Sequence, residues 1–163
     1  MQNDACFTHM DRLDLKILAQ LQDDATISHA ELGERIGLSA SQVSRRVQRL
    51  TQDGAIRRQV ALLDAESLGL NVEAYVLVSL SSYAKGVAQA FHERMVSIPQ
   101  VVECCALTGD SDYLLHLMAR DLPALSHLIN EDLLGHGDIA NVRSNIVLNR
   151  VKRTTALPLP VER

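Results

Sequence analysis

The chain has no tryptophan, three tyrosines and two phenylalanines among its 163 residues. Its cores must therefore be packed from Leu, Val, Ile and Ala. A base-stacking single-strand binder, which needs aromatic platforms, is disfavoured. No apolar run approaches the roughly 18 residues of a membrane span. The opening MQNDACFTHMD lacks a basic region leading into an apolar run, so no secretory leader is expected. The three cysteines, Cys6, Cys104 and Cys105, are odd in number and two are adjacent. That is no disulfide framework, and a reducing cytoplasm is the expected compartment. The six histidines are scattered, with no partner at metal-ligand spacing. Glycine-rich phosphate loops and Ser-His-Asp or Cys-His orders are also missing. No enzyme, metal or cofactor is expected.

What is present is an uneven charge. The formal net charge is −4, yet residues 35–58 hold six arginines (35, 45, 46, 49, 57 and 58) against one acid, Asp53. That stretch is +5 and leaves the rest of the chain nine units negative. A local basic surface on an acidic body suggests nucleic-acid contact, although a basic helix can equally be a solvated face.

Periodicity divides the chain. Residues 1–10 have no pattern and read as a loose arm. From Asp11, Leu13, Ile17, Leu18 and Leu21 form a helical stripe ending near Asp23-Asp24. Ser28 with Glu31 three residues on predicts a capping box and a helix over 28–36, stopped by Gly37. Val43, Val47 and Leu50 predict a third helix over 40–52, ended by Asp53-Gly54. AIRRQVALLD then reads as a strand, and residues 64–70 as a connector. Strands are expected over 72–80, 101–107, 113–119 and 141–151, with helices over 85–98 and 121–134. This β-α-β-β-α-β order is the split βαβ pattern of an antiparallel sheet with two helices on one face. The fold class is α+β, with a helical domain over 11–58, a connecting segment over 59–70, a sheet domain over 71–151 and an extended tail over 152–163.

Three constellations could carry function. Helices 28–36 and 40–52, joined by Gly-Leu-Ser, follow the helix-turn-helix plan. Gly33 would sit where the helices approach, and Gly37 at the sharp turn. The second helix would place Ser39, Ser41, Gln42, Ser44 and Arg45 in a major groove, Gln reading adenine and Arg reading guanine. Ser39 or Ser41 hydroxyls, with Arg46, Arg49, Arg57 and Arg58, suit phosphates. A plain three-helix bundle with a basic surface is the alternative. The second constellation is Gly109-Asp110-Ser111-Asp112-Tyr113, whose carboxylates could hold an ammonium group or simply form a polar turn. The third, Cys104-Cys105, must point to opposite faces of its strand, and both are read as small core residues.

DRLDLKILAQLQDDATISHAELGERIGLSASQVSRRVQRL resembles the opening of the Lrp/AsnC, or feast/famine, family of regulators. The likeness continues through DGAIRRQVALLDAESLGL, VVECCALTGDSDYLLHLMARD and NVRSNIVLNRVKRTTALPL, covering about residues 11–159. The resemblance implies a winged helix-turn-helix followed by a ferredoxin-like RAM domain that binds an effector and drives oligomerisation. It implies a cytoplasmic transcriptional regulator that binds a pseudo-palindromic operator in double-stranded DNA and no membrane. Homodimers would assemble further, to tetramers or octamers, and an amino acid or related small metabolite would bind between dimers. The matching effector positions are Leu107, Thr108, Gly109, Asp110, Asp112 and Tyr113, with Asn145, Ile146 and Val147 on the last strand. An effector-independent, architectural DNA-organising protein of the same fold is the alternative. The start of the recognition helix departs from many relatives, so the operator does not carry over, and Ser111 varies among relatives, so neither does the ligand.

Overall fold

A computed structural model describes residues 10–82, 84 and 86–160. The expected arm before Met10, Cys6 within it, the first residue of the expected helix at 85 and the last three residues lie outside the described residues. The chain divides into two units, one running through Leu62 and resuming at Lys152, the other spanning Leu63–Val151.

The first unit contains α1 (Arg12–Asp23), α2 (His29–Ile36) and α3 (Ala40–Gln52). Each begins where a short polar side chain can satisfy the free amides of a first turn. At α1 the Asp11 carboxylate accepts from the Asp14 N–H at 2.8 Å, and Asp14 accepts from the Asp11 N–H at 3.0 Å. At α3 Ser39 and Gln42 form the same reciprocal box. The box expected at α2 is half made. Ser28 Oγ accepts from the Glu31 N–H, but the Glu31 carboxylate turns forward to Arg35, 2.8 Å away, and leaves the cap. A charged partner one turn on outcompetes a neutral amide.

Ile17, Ile27, Leu32, Val43 and Leu50 form the apolar centre, with Leu18, Leu21, Ile36 and Val47 against it. Asp14, fully buried, sits beside them. An isolated buried carboxylate is expensive, so it requires partners. Arg46 supplies one contact at 2.7 Å, also reaching Asp11 at 2.7 Å, and Arg49 supplies another. The α2–α3 turn depends on two glycines. Gly37 adopts φ +77°, the left-handed stop. Gly33 accepts from the Leu38 N–H at 2.9 Å, and a Cβ there would lie 2.4 Å from the Leu38 carbonyl oxygen.

AIRRQVALLD forms no strand. Ile56 is anchored by its N–H to the Leu50 carbonyl at 3.0 Å, but residues 57–64 run exposed and unpaired. Alternating apolar residues supply strand propensity, whereas a ladder needs a second strand at about 4.8 Å, and the described residues offer none.

The second unit is a four-stranded antiparallel sheet ordered β2-β3-β1-β4. Its strands are β1 (Val72–Leu80), β2 (Val101–Ala106), β3 (Tyr113–Ala119) and β4 (Ile139–Ile146). On β1, buried Ala74, Val76, Val78 and Leu80 alternate with half-buried residues, the signature of one covered face. α4 (Val87–Ser97) buries Phe91 and Met95 in the same core. β4 stops five residues short of the expected end. It pairs with β1 from Leu80↔Ile139 to Ala74↔Ile146, and β1 begins only two residues further on, at Val72. The expected helix over 121–134 is α5 (Leu122–His127), capped by Asp121, followed by a π-helical turn, Leu128–Leu133. In an α-helix, residues five apart lie about 140° out of phase. The wider π-turn, bonded i to i+5, brings Leu128 and Leu133 to one face, and both are buried. Neither Cys104 nor Cys105 is a core residue: they point to opposite faces, as expected, but β2 is an edge strand and leaves both accessible.

Two substitutions test this account. Gly33→Ala is expected to destabilise the N-terminal unit by about 1–3 kcal/mol, because the new methyl meets backbone that cannot swing away. Asp14→Ala is expected to cost about 2 kcal/mol or more, between the values for exposed and fully buried ion pairs, since both arginines keep some contact with water. Thermal unfolding of the full chain measures both. Wild-type stability in either variant would remove the corresponding contact from the account.

Candidate DNA-reading helix and effector turn

α3 turns one face to the core and the other to solvent. Val43 and Leu50 are buried, while Ser41, Ser44, Arg45 and Gln48 are exposed at i, i+3, i+4 and i+7. These four form one continuous polar stripe. Ser41, Ser44 and Arg45 are among the residues expected from sequence. Gln48, not among the expected residues, joins the same stripe through its spacing from Ser41 and Ser44. The other expected residues have duties within the fold. Ser39 Oγ accepts from the Gln42 N–H at 3.3 Å, and Gln42 Oε1 accepts from the Ser39 N–H at 2.9 Å, so Gln42 holds the helix start. Arg46 and Arg49, expected to serve phosphates, turn toward α1 and the buried Asp14. The physical reason is that Asp14 cannot be buried without them.

The Gly-Asp-Ser-Asp-Tyr segment closes the β2–β3 hairpin. The Leu107 N–H donates to the Asp112 carbonyl at 2.8 Å, and the Asp112 N–H to the Val78 carbonyl at 2.9 Å. Gly109, at φ +122°, allows the reversal. One Asp112 carboxylate oxygen accepts from the Leu80 N–H at 2.8 Å, tying the turn to β1. Asp110, by contrast, is exposed. The pair of carboxylates is therefore split between a structural member and a solvent-facing one.

Tyr113 leads from the turn into the core. Its hydroxyl lies 2.8 Å from His92 Nε2 on α4, and its ring packs on Phe91 at 4.7 Å between centroids. Burial, with the neighbouring Cys104 and Asp112, pushes its phenol above the usual range. A pocket of about 430 Å³ opens beside the root of the turn, lined by His92, Met95, Val101, Cys104, Ala106 and Tyr113. His92 carried no sequence signal, because its partner is remote in the chain and is met only through the α4–β3 packing.

The last-strand positions are elsewhere. Ile146 pairs with Ala74 and Asn145 with Tyr75, whereas Tyr113 pairs with Val78. Four residues of strand, about 13 Å, separate the two levels on β1. β3 and β4 also flank β1 on opposite sides. One protomer does not bring Asn145, Ile146 and Val147 to the turn. The Asn145 side chain instead donates to the Tyr75 carbonyl at 3.3 Å, and the Val147 N–H to the Glu73 carbonyl at 2.9 Å. On the sheet face away from the helices, Glu73 bonds both His116 and Arg150, and His116 stacks on Tyr75 at 4.7 Å. Burial alone would raise the Glu73 carboxyl, but the hydrogen bonds from Arg150 and His116, with the Arg150 charge, outweigh it and hold it below its usual range.

Among the described residues, no group of three His, Cys, Asp or Glu could hold a metal ion, and no helix is long and apolar enough to cross a membrane.

Comparison with known proteins adds the family. Residues 10–57 match the winged helix-turn-helix DNA-binding family, and residues 73–157 match the Lrp/AsnC ligand binding domain. The chain is 35% identical over 150 residues to the transcriptional regulator AzlB of Bacillus subtilis, covering 92% of this chain and 96% of that one. It is 37% identical over 143 residues to a leucine-responsive regulatory protein of Rhizobium meliloti, covering 88% and 92%. Among solved structures, the transcriptional regulator NMB0573 of Neisseria meningitidis, in complex with L-Met, superposes with a TM-score of 0.90 at 38% identity, over 93% of this chain and 97% of that one. AsnC of E. coli superposes at 0.83 with 28% identity, over 91% and 99%. A capped reading helix, a tied Gly-Asp-Ser-Asp turn and these likenesses agree that the chain belongs to the Lrp/AsnC family of transcriptional regulators, with a winged helix-turn-helix DNA-binding domain and an Lrp/AsnC ligand-binding domain.

Proposed function

We propose that the exposed stripe Ser41, Ser44, Arg45 and Gln48 reads base edges, and that an amino acid bound at the Gly109–Tyr113 turn modulates operator binding. The observation that carries the first part is the stripe itself, four polar side chains on a helix whose far side is locked by Asp14. Arg45 reaches guanine and Gln48 adenine by paired hydrogen bonds, while Arg57 and Arg58 serve phosphates. The second part is supported by the relative crystallised with L-Met and by those named for leucine response. The exposed Asp110 carboxylate suits an ammonium group, and the pocket beside Tyr113 suits an aliphatic or thioether side chain. The reading requires no cofactor beyond this effector.

The working unit is a homodimer or a higher assembly of dimers. Val60, Leu62 and Leu63 are exposed on an unpaired extended segment, a strand edge that a second copy can complete. A symmetric dimer sets two α3 helices about 34 Å apart, one helical turn of a pseudo-palindromic operator. A second copy also offers a route by which Asn145–Val147 could join a turn they do not reach within a protomer.

Arg45→Ala is expected to cost about 1–3 kcal/mol on the operator and little on random DNA, whereas Arg57→Ala weakens both alike. Titrations at one fixed salt concentration decide this, and equal losses for Arg45→Ala would remove its base-reading role. A thermal screen against the twenty amino acids, at fixed protein concentration, tests the effector. A ligand at 100 times its Kd should stabilise the folded state by about 2.7 kcal/mol. Asp110→Asn should abolish that shift while leaving the unliganded melting temperature unchanged. Asp112→Ala is a poorer probe because it also unties β1. No shift with any amino acid overturns the effector assignment.

A further inference from the structure

The family match assigns the chain as far as residue 157 to the ligand-binding domain, yet from Lys152 onward the tail belongs with the DNA-binding unit. The contact that places it there is specific. Gln22, in the last turn of α1, grips both main-chain groups of Leu157: its Oε1 accepts from the Leu157 N–H at 2.9 Å, and its Nε2 donates to the Leu157 carbonyl at 3.1 Å. One side-chain amide thus acts as a neighbouring strand would. The grip ignores the identity of the side chain at 157, which stays 70% exposed.

The tail is prepared for this. Pro158 and Pro160 hold the residues before them, Leu157 and Leu159, in extended backbone. Thr154 Oγ1 accepts from the Ala156 N–H at 3.0 Å and orders the approach. Ala156 and Leu159 are half-buried and, with Ala19, Gln22 and Ile36, line a cleft of about 990 Å³ that the tail spans without filling. An extended segment already limited in its conformations loses little entropy on docking, and a cleft left partly open allows it to leave.

We propose that residues 152–160 form a detachable strap seated on α1 and α2, and that the strap carries the state of the ligand-binding domain to the reading helix. Two connections make it a coupling element. Upstream, Val147–Val151 join the strap to β4, so a change at the end of that strand is passed along five residues. Downstream, α1 is a rigid rod of 12 residues whose other end holds Asp14, the partner of Arg46 and Arg49 on α3. Displacing one end of α1 alters the seat of α3. The coupling half rests on the amino-acid effector reading, whereas the docking half stands independently of it.

The test uses full-length Gln22→Leu, which keeps the helix and removes both hydrogen bonds, with Leu157→Ala as the control that leaves the main-chain grip intact. In the wild type the Leu157 amide is expected to exchange with solvent about tenfold more slowly than in an unfolded chain, a protection lost in Gln22→Leu and kept in Leu157→Ala. Operator affinity without amino acid should change less than about twofold. The amino-acid-induced change in that affinity should fall about fivefold or more in Gln22→Leu, while the thermal shift given by the amino acid persists. An unprotected Leu157 amide in the wild type overturns the docking. A full amino-acid response in Gln22→Leu, with protection lost, overturns the coupling. If no amino acid shifts the wild type, the effector reading fails and the coupling falls with it, while amide exchange still decides the docking.

Discussion

The buried carboxylate of Asp14 is the constraint on which the N-terminal unit is organised. It lies in the first turn of α1, where an acid suits both the cap and the helix dipole, but the packing of Ile17 and its neighbours takes it out of water. A charge so placed must be paired, and Arg46 and Arg49 cross from α3 to do so. That pairing orients α3: with Arg46, Arg49 and the apolar seam turned toward α1, Ser41, Ser44, Arg45 and Gln48 face outward. It also reduces the charge available to DNA. The +5 of residues 35–58 counts arginines already neutralised by Asp11, Asp14 and Glu31. What remains outward is concentrated in Arg45, Arg57 and Arg58.

The ligand-binding domain shows the same economy. Asp112 looks like one of two equivalent acids beside a glycine, yet one of its oxygens holds the Leu80 amide and its backbone closes the hairpin. Asp110 and Asp112 differ because one sits at the tip of the turn and the other at its root. Tyr113, the last residue of the motif, turns into the core to meet His92. The motif thus combines an exposed acceptor, a structural tie and a buried hydroxyl within four residues, with an apolar pocket beside the last of them. The strap adds a third theme, in which main-chain groups left without a ladder are taken up by a side-chain amide.

Much of the fold was legible. The three N-terminal helices, the sequence of strands and helices in the sheet domain and the glycine stop at Gly37 follow from local rules: apolar period, capping residue, turn chemistry. The expectations that needed correction depend on partners remote in the chain. AIRRQVALLD has the alternation of a strand but, among the described residues, no neighbour to pair with. The last strand ends early because β1, its partner, begins at Val72. The half-made cap at Ser28 and the π-turn at Leu128–Leu133 were decided by Arg35 and by the demands of the core.

By itself, then, the sequence determined the elements, their order and the residue types at α3 and at the Gly109–Tyr113 turn. These depend on interactions within a few residues, which periodicity and spacing report. The tertiary structure decided which of those side chains are available. It sent Arg46 and Arg49 to Asp14, Gln42 to its own cap and Asp112 to Leu80, separated Asn145–Val147 from the turn and seated the tail on Gln22. Each of these depends on burial or on a partner that only the folded chain brings close, and linear spacing carries no record of either.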